Sequence, residues 1–543
     1  MQTAHGDSFV RDRLPPAEGQ PEFLFDLPEL LYPDRLNAAA ELVDRHVAAG
    51  EGERLAILND QGRWSYAELK DMSDRIARLL VEEEGLVPGN RVFLRGPNSA
   101  TLFAAWLGIL KAGGIVVATM PILRPGEIAT ILERGQVSHA IVDSRFIGDF
   151  RQGAEQAGTV TSLLRYDGDH GKGELETRLA SVTPGFAPVD THRDDVALIA
   201  FTSGTTGKPK GCVHYHRDIL ACADAFAAHI LKPEPGDRWA CSAPIAFTFG
   251  LGQLLIFPFR FRGTAVTIEQ PSPAALLDAV ERHQVTTLAT APTAYKAMLG
   301  QREGRDISAL RTCVSAGEHL PAVTWHAWRD ATGLRIVDGI GATEMMHIFI
   351  SASGDDIRPG ATGRAVPGYR ACVLGEDGAP LPPGGTGRLA VKGPTGCRYF
   401  DDPRQAYYVM NGWNVTGDTY REDEEGRFWY LARNDDMIIS SGYNIAAPEV
   451  ENALLSHPAV QECAVIGMPC EERGQRVKAF VVPAPGHDAS AALAETLQQH
   501  VKATIAPYKY PRDMEFVEAL PKTATGKLQR YALKVAQTEK AAP

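Results

Sequence analysis

Short apolar runs along the chain alternate with longer amphipathic segments. Residues 91–95, 196–201 and 286–290 are strand-like, and the amphipathic segment 274–283 precedes the last of these runs. Short apolar runs bounded by polar turns predict buried strands, and longer segments with helical periodicity predict helices. Their alternation predicts α/β layers through most of the chain.

The longest apolar stretch, residues 102–120, is interrupted by Lys111, Gly113 and Gly114. A glycine pair after a run of helix formers is typical of a helix end. The pattern therefore predicts a helix over 102–111, a turn, and a buried strand over 115–118. A charge and two glycines within it disfavour a transmembrane span.

The pattern changes twice towards the C-terminus. From about residue 360 glycine and proline become frequent and the segments shorten, which predicts a β-rich subdomain with tight turns. A polar junction at 434–437 separates two apolar runs, and the remainder has strands and helices of its own. We therefore predict an N-terminal domain over 1–434 and a small α+β domain over 435–543.

Composition narrows the classes of function. The chain has 543 residues, with 55 basic and 67 acidic side chains and a net charge of −12. The absence of a long basic run disfavours nucleic acid or an anionic membrane as a partner. Eight scattered cysteines without a C-x-x-C pair, and an N-terminus without an apolar core, predict a cytoplasmic protein with reduced, buried thiols.

The segment 201–211, FTSGTTGKPKG, is the most informative part of the sequence. It follows a predicted buried strand and concentrates glycines, hydroxyl groups and two lysines. Glycines let backbone N–H groups approach phosphate oxygens, while hydroxyl and ammonium groups add donors, so we predict a phosphate-binding loop. It is not a Walker A motif, because Lys208 is followed by Pro209 instead of serine or threonine.

Four further segments suit a nucleotide. Residues 315–318 offer a wall of small residues for a flat ring, and 338–344 combine glycines with a hydroxyl and a carboxylate that could hold a metal near phosphates. Residues 416–418 are predicted to place a carboxylate on a turn, within reach of ribose hydroxyls. Residues 521–527 present Lys527 after a glycine, as an ammonium donor for an anion.

In this order, these five segments and residues 433–436 resemble the adenylate-forming superfamily of acyl-CoA synthetases, luciferases and peptide-synthetase adenylation domains. Segments 338–349, 361–369 and 247–252 resemble benzoate-type aryl-CoA ligases, and 439–449 is most similar to 2-aminobenzoate–CoA ligases. The resemblance implies formation of an acyl-AMP from a carboxylate and MgATP. A swing of the mobile C-terminal domain then allows attack by the coenzyme A thiol.

The resemblance also implies residue roles. Catalysis would use Lys527, Thr343 and Glu344, with Glu344 binding Mg²⁺ and Lys527 offsetting charge in the transition state. Asp435 would be the hinge, and Gly442 and Tyr443 would line the CoA tunnel. Position 444 is asparagine where the family usually has arginine. The implied ATP-binding residues are Thr202, Ser203, Gly204, Thr205, Thr206, Gly207, Lys210, Gly317, Glu318, His319, Asp338, Gly339, Ile340, Asp418 and Arg433.

The acid pocket carried over from the aryl-ligase pattern has aromatic and glycine walls, which suit a flat ring. Its members are Phe247, Phe249, Gly250, Ala316, Gly339, Gly341 and His347. We therefore expect an ATP-dependent aryl-CoA ligase, with 2-aminobenzoate favoured and benzoate next. Two other hypotheses remain: an aryl-acid adenylation enzyme that loads a carrier protein, and a nucleotide-binding protein without activity. The expected ligands are the aromatic acid, ATP, Mg²⁺ and coenzyme A, and the chain is expected to be a monomer or homodimer.

Overall fold

The computed structural model describes residues 3–169, 171–202, 209–433, 436–440, 443–470, 474–505, 507–522 and 528–541. The strands are β1 (Leu55–Asn59), β2 (Gly62–Ser65), β3 (Arg91–Arg95), β4 (Ile115–Thr119), β5 (His139–Asp143), β6 (Ser162–Tyr166), β7 (Val196–Thr202), β8 (Lys210–Tyr215), β9 (Arg238–Cys241), β10 (Thr264–Val266), β11 (Thr287–Thr290), β12 (Thr312–Ser315), β13 (Ile336–Gly341), β14 (Ile348–Ser351), β15 (Arg364–Ala365), β16 (Arg370–Leu374), β17 (Thr386–Lys392), β18 (Val409–Met410), β19 (Trp413–Glu422), β20 (Phe428–Arg433), β21 (Met437–Ser440), β22 (Tyr443–Ala446), β23 (Val460–Cys470), β24 (Gly474–Pro483) and β25 (Asp513–Phe516).

The α-helices are α1 (Arg45–Ala48), α2 (Tyr66–Glu82), α3 (Ala100–Lys111), α4 (Pro125–Gly135), α5 (Ile147–Ala157), α6 (Glu174–Leu179), α7 (His216–Cys222), α8 (Thr248–Leu251), α9 (Phe257–Arg260), α10 (Pro273–His283), α11 (Pro292–Leu299), α12 (Ala322–Thr332), α13 (Gln405–Tyr408), α14 (Ala447–Leu455), α15 (Ala491–Thr504) and α16 (Arg530–Ala541). Three π-helical segments adjoin α-helices: Ala40–Asp44 precedes α1, Ala223–Leu231 follows α7, and Gly252–Ile256 joins α8 to α9. Short 3₁₀ turns occur at Arg11–Arg13, Ala17–Gly19, Pro28–Leu30, Ser144–Phe146, Thr343–Met345, Gly354–Asp356 and Pro507–Lys509.

Two largely parallel sheets form the first part of the chain. One has six strands in the order β6-β5-β3-β4-β7-β8, parallel except for β8. The other has nine strands in the order β15-β14-β13-β12-β11-β9-β10-β1-β2, parallel from β13 to β1. Parallel sheets require cover on both faces, and the helices supply it. The largest apolar core includes Trp106 and Ile76 from α3 and α2, both fully buried.

Two smaller sheets follow. Strands β16 to β20 form a five-stranded antiparallel sheet, and β21 to β25 form a mixed one that packs against α14 and α15. This arrangement confirms the predicted fold class, with α/β layers, a β-rich subdomain and a smaller α+β part at the C-terminus. The predicted boundary at 434/435 lies outside the described residues, so the division stays a prediction.

The local predictions agree closely with these elements. Predicted helix 102–111 corresponds to α3, and predicted strand 115–118 corresponds to β4. Among the residues described, no helix combines the length and apolarity needed to cross a bilayer. Six of the eight cysteines are buried, whereas Cys372 and Cys470 are partly exposed.

Candidate active site

The phosphate-binding segment connects two antiparallel strands. Strand β7 ends at Thr202, which pairs with Lys210, the first residue of β8. The predicted phosphate donors Ser203, Gly204, Thr205, Thr206 and Gly207 lie outside the described residues. The structure therefore fixes both ends of this segment, and the role of its centre stays a prediction.

A tyrosine connects the lysine and the carboxylate of the predicted phosphate end. The Lys210 Nζ atom donates to the Tyr399 hydroxyl at 3.2 Å, and that hydroxyl donates to the Glu344 carboxylate. Burial, reinforced by the negative charge of Glu344, raises the pKa of Tyr399, so its hydroxyl keeps its proton. This chain brings Lys210 and Glu344 together although they belong to different segments of the sequence.

Thr343 and Glu344 begin a short 3₁₀ turn after β13. His214 supports this turn, because its Nε2 atom is 2.8 Å from the Thr343 carbonyl oxygen. His214 is on β8, which carries Lys210 at its start. Thr343 and Glu344, two of the three predicted catalytic residues, are thus fixed against the strand that follows the phosphate segment.

The predicted adenine-binding residues meet at the ends of two neighbouring parallel strands. Ser315 at the end of β12 is in register with Asp338 on β13, so residues 316–319 and 338–340 lie at the same edge of the sheet. Gly317 has a φ of +90°, a conformation that favours glycine. Removal of the Asp338 carboxyl group from solvent raises its pKa to about 7. This edge brings together Gly317, Glu318, His319, Asp338, Gly339 and Ile340, as the sequence predicts.

The predicted ribose-binding pair is also brought together, but by a strand instead of a turn. Residues 416–418 lie inside β19, so the prediction of a turn there was wrong. Asp418 faces Arg433 of β20 in register, and their charged groups are 3.5 Å apart. Burial raises the pKa of Asp418, and the charge of Arg433 opposes that shift. Antiparallel pairing presents the two side chains side by side, which a turn would not do.

Aromatic contacts join the adenine and ribose sides. The His319 ring stacks on Tyr430 with centroids 5.4 Å apart, and Tyr430 packs edge-on against Tyr420 at 5.5 Å. The Tyr420 hydroxyl lies 3.2 Å from the Thr362 hydroxyl. Burial, with the charge of Arg530 as a second cause, lowers the pKa of His319 to about 4. His319 is therefore a neutral ring between the nine-stranded sheet and the β19–β20 sheet.

His347 is the centre of the predicted acid pocket. Its ring stacks on Phe249 at a centroid distance of 5.7 Å and contacts Phe257 edge-on at 4.6 Å. Phe226 is a third aromatic neighbour at 5.3 Å. Gly252 makes this packing possible, because a β-carbon there would lie 2.4 Å from the His347 Cδ2 atom. The imidazole is thus enclosed by aromatic rings and the backbone of a helix.

The remaining pocket residues approach from three elements. Phe247 is the N-cap of α8, and Gly250 lies within that helix. Ala316 follows β12, and Gly339 and Gly341 belong to β13. A β-carbon at Gly341 would be 2.8 Å from the His347 carbonyl oxygen. The end of β13 therefore lies directly against the segment that carries the histidine.

The C-terminal part contacts the predicted adenine site through α14. The Asn452 amide is 3.2 Å from the His319 Nε2 atom. Within the C-terminal part, the Arg530 Nη2 atom donates to both carboxylate oxygens of Glu451, at 2.6 and 2.9 Å. Lys527, Asp435 and Gly442 lie outside the described residues. Tyr443 is described only as the first residue of β22, so its predicted place in the CoA tunnel is untested.

The Glu344 carboxylate suits an Mg²⁺ ion whose other ligands come from a bound nucleotide and water. Within the described part of the chain, no group of three or more histidine, cysteine or acidic side chains could hold a metal ion alone. Mg²⁺ commonly binds one or two carboxylates together with substrate phosphates and water. Glu344, beside Lys210 and Tyr399, provides one such carboxylate at the predicted phosphate end.

Three residues at this site were missed by the sequence analysis: Tyr399, Tyr430 and Gln253. Tyr430 stood within a recognised strand, but only strand pairing directs its ring towards His319. Tyr399 belongs to no motif. Gln253, which is fully buried, directly follows the segment 247–252 but has no motif of its own. Each was found only through its contacts or its burial.

Comparison with known proteins gives matches in both parts of the chain. Residues 44–399 match the model described as "AMP-binding enzyme", and residues 449–527 match "AMP-binding enzyme C-terminal domain". Benzoate–CoA ligase of Thauera aromatica is 38% identical over 519 residues, covering 94% of this chain and 98% of that protein. The 4-hydroxybenzoate–CoA/benzoate–CoA ligase of Rhodopseudomonas palustris is 34% identical, covering 92% and 94%.

Solved structures show the same likeness. The anthranilate CoA ligase AuaEII in complex with anthranoyl-AMP superposes with a TM-score of 0.90 and 32% identity, covering 95% of this chain and 100% of that chain. A benzoate CoA ligase from Burkholderia xenovorans LB400 gives a TM-score of 0.84 and 32% identity, covering 92% and 99%. These similarities confirm the resemblance to adenylate-forming acyl-CoA synthetases and to their benzoate/2-aminobenzoate branch.

Proposed function

The chain belongs to the AMP-binding enzyme family, and we propose that it is an ATP-dependent aryl-CoA ligase acting on 2-aminobenzoate. The acid would first be converted to its acyl-AMP with release of pyrophosphate. Coenzyme A would then displace AMP to give the thioester.

The observation that carries the substrate class is the enclosure of His347. Three aromatic rings surround the imidazole, and the glycine backbones at 252 and 341 press against the same residue. A planar ring fits between an aromatic face and a glycine backbone, whereas a long acyl chain needs a deep apolar tunnel. The named relatives that act on benzoate or anthranilate agree with this reading.

For the adenylation step, the charges of the site match the charges of the substrates. Lys210 would bind the β- and γ-phosphates, Thr343 the α-phosphate, and Asp418 with Arg433 the ribose hydroxyls. Glu344 would hold Mg²⁺, which neutralises phosphate charge when bound. Lys527 would bridge the carboxylate and α-phosphate oxygens, where negative charge develops as the acyl–oxygen–phosphorus bond forms and pyrophosphate leaves.

For the thioester step, we propose that the C-terminal part turns about Asp435 and admits the thiol past Gly442 and Tyr443. The described contact between α14 and His319 is one that such a rotation would exchange. Benzoate is the alternative acid, because the named relatives include benzoate–CoA ligases. A phosphopantetheinylated carrier protein is the alternative acceptor, since a carrier presents the same thiol group as coenzyme A.

The test is a substrate screen with the purified chain. AMP release would be measured with ATP, Mg²⁺ and coenzyme A in the presence of 2-aminobenzoate, benzoate, the hydroxybenzoates or octanoate. We expect kcat/KM for the aromatic acids to exceed that for octanoate by well over tenfold. Acid-dependent ATP–pyrophosphate exchange without coenzyme A would separate adenylation from thioester formation.

Two outcomes would overturn parts of this proposal. If octanoate is used better than both benzoate and 2-aminobenzoate, the acid pocket is wrongly assigned. If a carrier protein replaces coenzyme A with a higher kcat/KM, the acceptor is wrong while the acid assignment stands. Lys527→Ala serves as the control for background hydrolysis of ATP.

A further inference from the structure

Gln253 combines complete burial with an unsatisfied side chain. It lies in the π-helical segment between α8 and α9 and is 0% exposed. Neither its amide oxygen nor its amide nitrogen has a hydrogen-bond partner among the described residues. A buried amide without partners costs about 1–3 kcal/mol, so its presence in an apolar helix requires an explanation. Single π-helical turns within α-helices are frequent at functional sites.

The spacing on this helix points Gln253 towards the acid pocket. Phe249, Gln253 and Phe257 follow one another at intervals of four residues, so they share one face of the helix. Both phenylalanine rings contact His347, one stacked and one edge-on. Gly252, the residue before Gln253, also lies against the imidazole. Gln253 is therefore placed between two residues that enclose the histidine.

His347 has the same unsatisfied character. Its side chain is buried, and neither ring nitrogen makes a hydrogen bond of normal geometry within the described part of the structure, although the Phe249 backbone lies close enough to the ring to affect its pKa. Burial lowers its pKa to about 3, with the Phe249 backbone acting in the opposite direction. The ring is therefore neutral at physiological pH, with one N–H donor and one acceptor nitrogen. The glutamine amide and the imidazole together offer donors and acceptors at the predicted acid pocket, where three aromatic rings surround His347.

Such a pair matches a polar group on an aromatic ring. A ring amino group donates two hydrogen bonds, and a ring hydroxyl group donates one and accepts others, whereas an unsubstituted ring offers neither. A site built to hydrogen-bond such a group rejects the analogue that lacks it, because the site's polar groups then stay unpaired. Packing alone would discriminate less, since small apolar groups change binding only modestly.

We propose that Gln253 and His347 bind an amino or hydroxyl substituent on the ring of the aromatic acid and select substituted acids over benzoate. This inference rests on the proposed aryl-CoA ligase function and adds the residues that determine its specificity. Gln253 and His347 would both supply hydrogen bonds to that substituent.

The test compares acids that differ at one ring position. The 2-, 3- and 4-substituted amino-, hydroxy- and methylbenzoates and benzoate would be assayed by AMP release with wild-type enzyme. The methyl series controls for shape, because a methyl group is similar in size to an amino group but forms no hydrogen bonds. At the preferred position we expect kcat/KM for the amino or hydroxy acid to exceed that for the methyl acid by about 10- to 100-fold. The two series then show which group is recognised.

Two variants assign the preference to residues. Gln253→Met keeps an unbranched side chain but removes the amide, and His347→Phe keeps an aromatic ring among its three aromatic neighbours. Each should lower the ratio of kcat/KM for the preferred acid to kcat/KM for the matching methyl acid by about tenfold or more. Gln152→Met, the same exchange at an exposed position of α5, should leave all values unchanged.

Each result decides the matter. A substituent preference that collapses in either variant supports the inference, even if the other variant does not fold. If the wild-type enzyme uses aryl acids but does not prefer amino or hydroxy groups over methyl groups, the inference about specificity is wrong and the proposed function stands. The same holds if the preference survives in both variants. A wild-type enzyme that uses no aryl acid overturns the proposed function and this inference together.

Discussion

The Tyr399 hydroxyl is the described group that holds the predicted phosphate end together, so its removal should impair adenylation selectively. It accepts from Lys210 at 3.2 Å and donates to Glu344, which is only 9% exposed. Tyr399→Phe removes both bonds and keeps the ring, whose centroid lies 5.0 Å from the Lys210 ammonium. The variant therefore isolates the hydroxyl from the packing and cation–π contributions of the ring.

The expected loss of adenylation rate follows from the type of hydrogen bond that Tyr399→Phe removes. Hydrogen bonds to charged groups are worth about 1.5–3 kcal/mol, and both partners here carry charge. If that energy fixes Glu344 and Lys210 in the geometry of the transition state, the rate falls about 10- to 100-fold, since about 1.4 kcal/mol corresponds to tenfold. The effect should not depend on pH between 6 and 9, roughly the range of such assays, because the raised pKa keeps Tyr399 protonated throughout.

The assay separates the two half-reactions. Acid-dependent ATP–pyrophosphate exchange reports adenylation, and thioester formation from pre-made acyl-AMP reports the second step. Tyr399→Phe should lower kcat/KM for ATP in the exchange assay while thioester formation stays within about twofold of wild type. Tyr408→Phe is the matched control, because the Tyr408 ring is 5.9 Å from that of Tyr399 but its buried hydroxyl has no partner among the described residues.

Equal losses in both half-reactions would refute the reasoning, because they would indicate general damage to the fold. An unchanged exchange rate would show that the hydroxyl does not position Lys210 and Glu344. A loss of similar size in Tyr408→Phe would mean that the effect is not specific to the bridging hydroxyl.

Three further predictions concern other parts of the chain. Lys527→Ala should reduce the rate of adenylation by about 10²-fold or more, which corresponds to about 3 kcal/mol of lost charge stabilisation. Thioester formation from pre-made acyl-AMP should survive. Equal losses in the two half-reactions would exclude Lys527 as the adenylation lysine. Gly442→Leu should raise KM for coenzyme A with pyrophosphate exchange intact, and loss of exchange with normal use of coenzyme A would contradict its placement. His216 is fully buried, its pKa is lowered to about 3 by burial and by the charge of His5, and its Nδ1 atom accepts from the Ala38 N–H. Below about pH 6.5 the unfolded state therefore binds a proton on His216 that the folded state does not bind. Between pH 7 and 5, the unfolding free energy of wild type should fall by about 2 kcal/mol relative to that of His216→Asn in denaturant titrations. Parallel pH profiles of the two proteins would show that His216 does not carry this effect.

The sequence by itself determined the parts of this protein that depend on local pattern. Apolar runs and glycine turns predicted α3 and β4 closely, because periodicity and backbone freedom are properties of neighbouring residues. Motif order also predicted that residues 315–318 and 338–344 belong to one site. The parallel register that sets Ser315 of β12 beside Asp338 of β13 explains why they do. The family followed from the same motifs.

The tertiary structure decided what depends on strand pairing and enclosure. Lys210 and Tyr399 are 189 residues apart and share no motif, so only the packing of β8 against the segment around Tyr399 joins them. Residues 416–418 read locally as a turn, yet pairing with β17 and β20 makes them part of a strand and sets Asp418 opposite Arg433. Gln253 is an ordinary helical residue in the sequence. Its unsatisfied amide acquires meaning only because the fold buries it on the helical segment that packs against His347, where a polar group without a partner is costly.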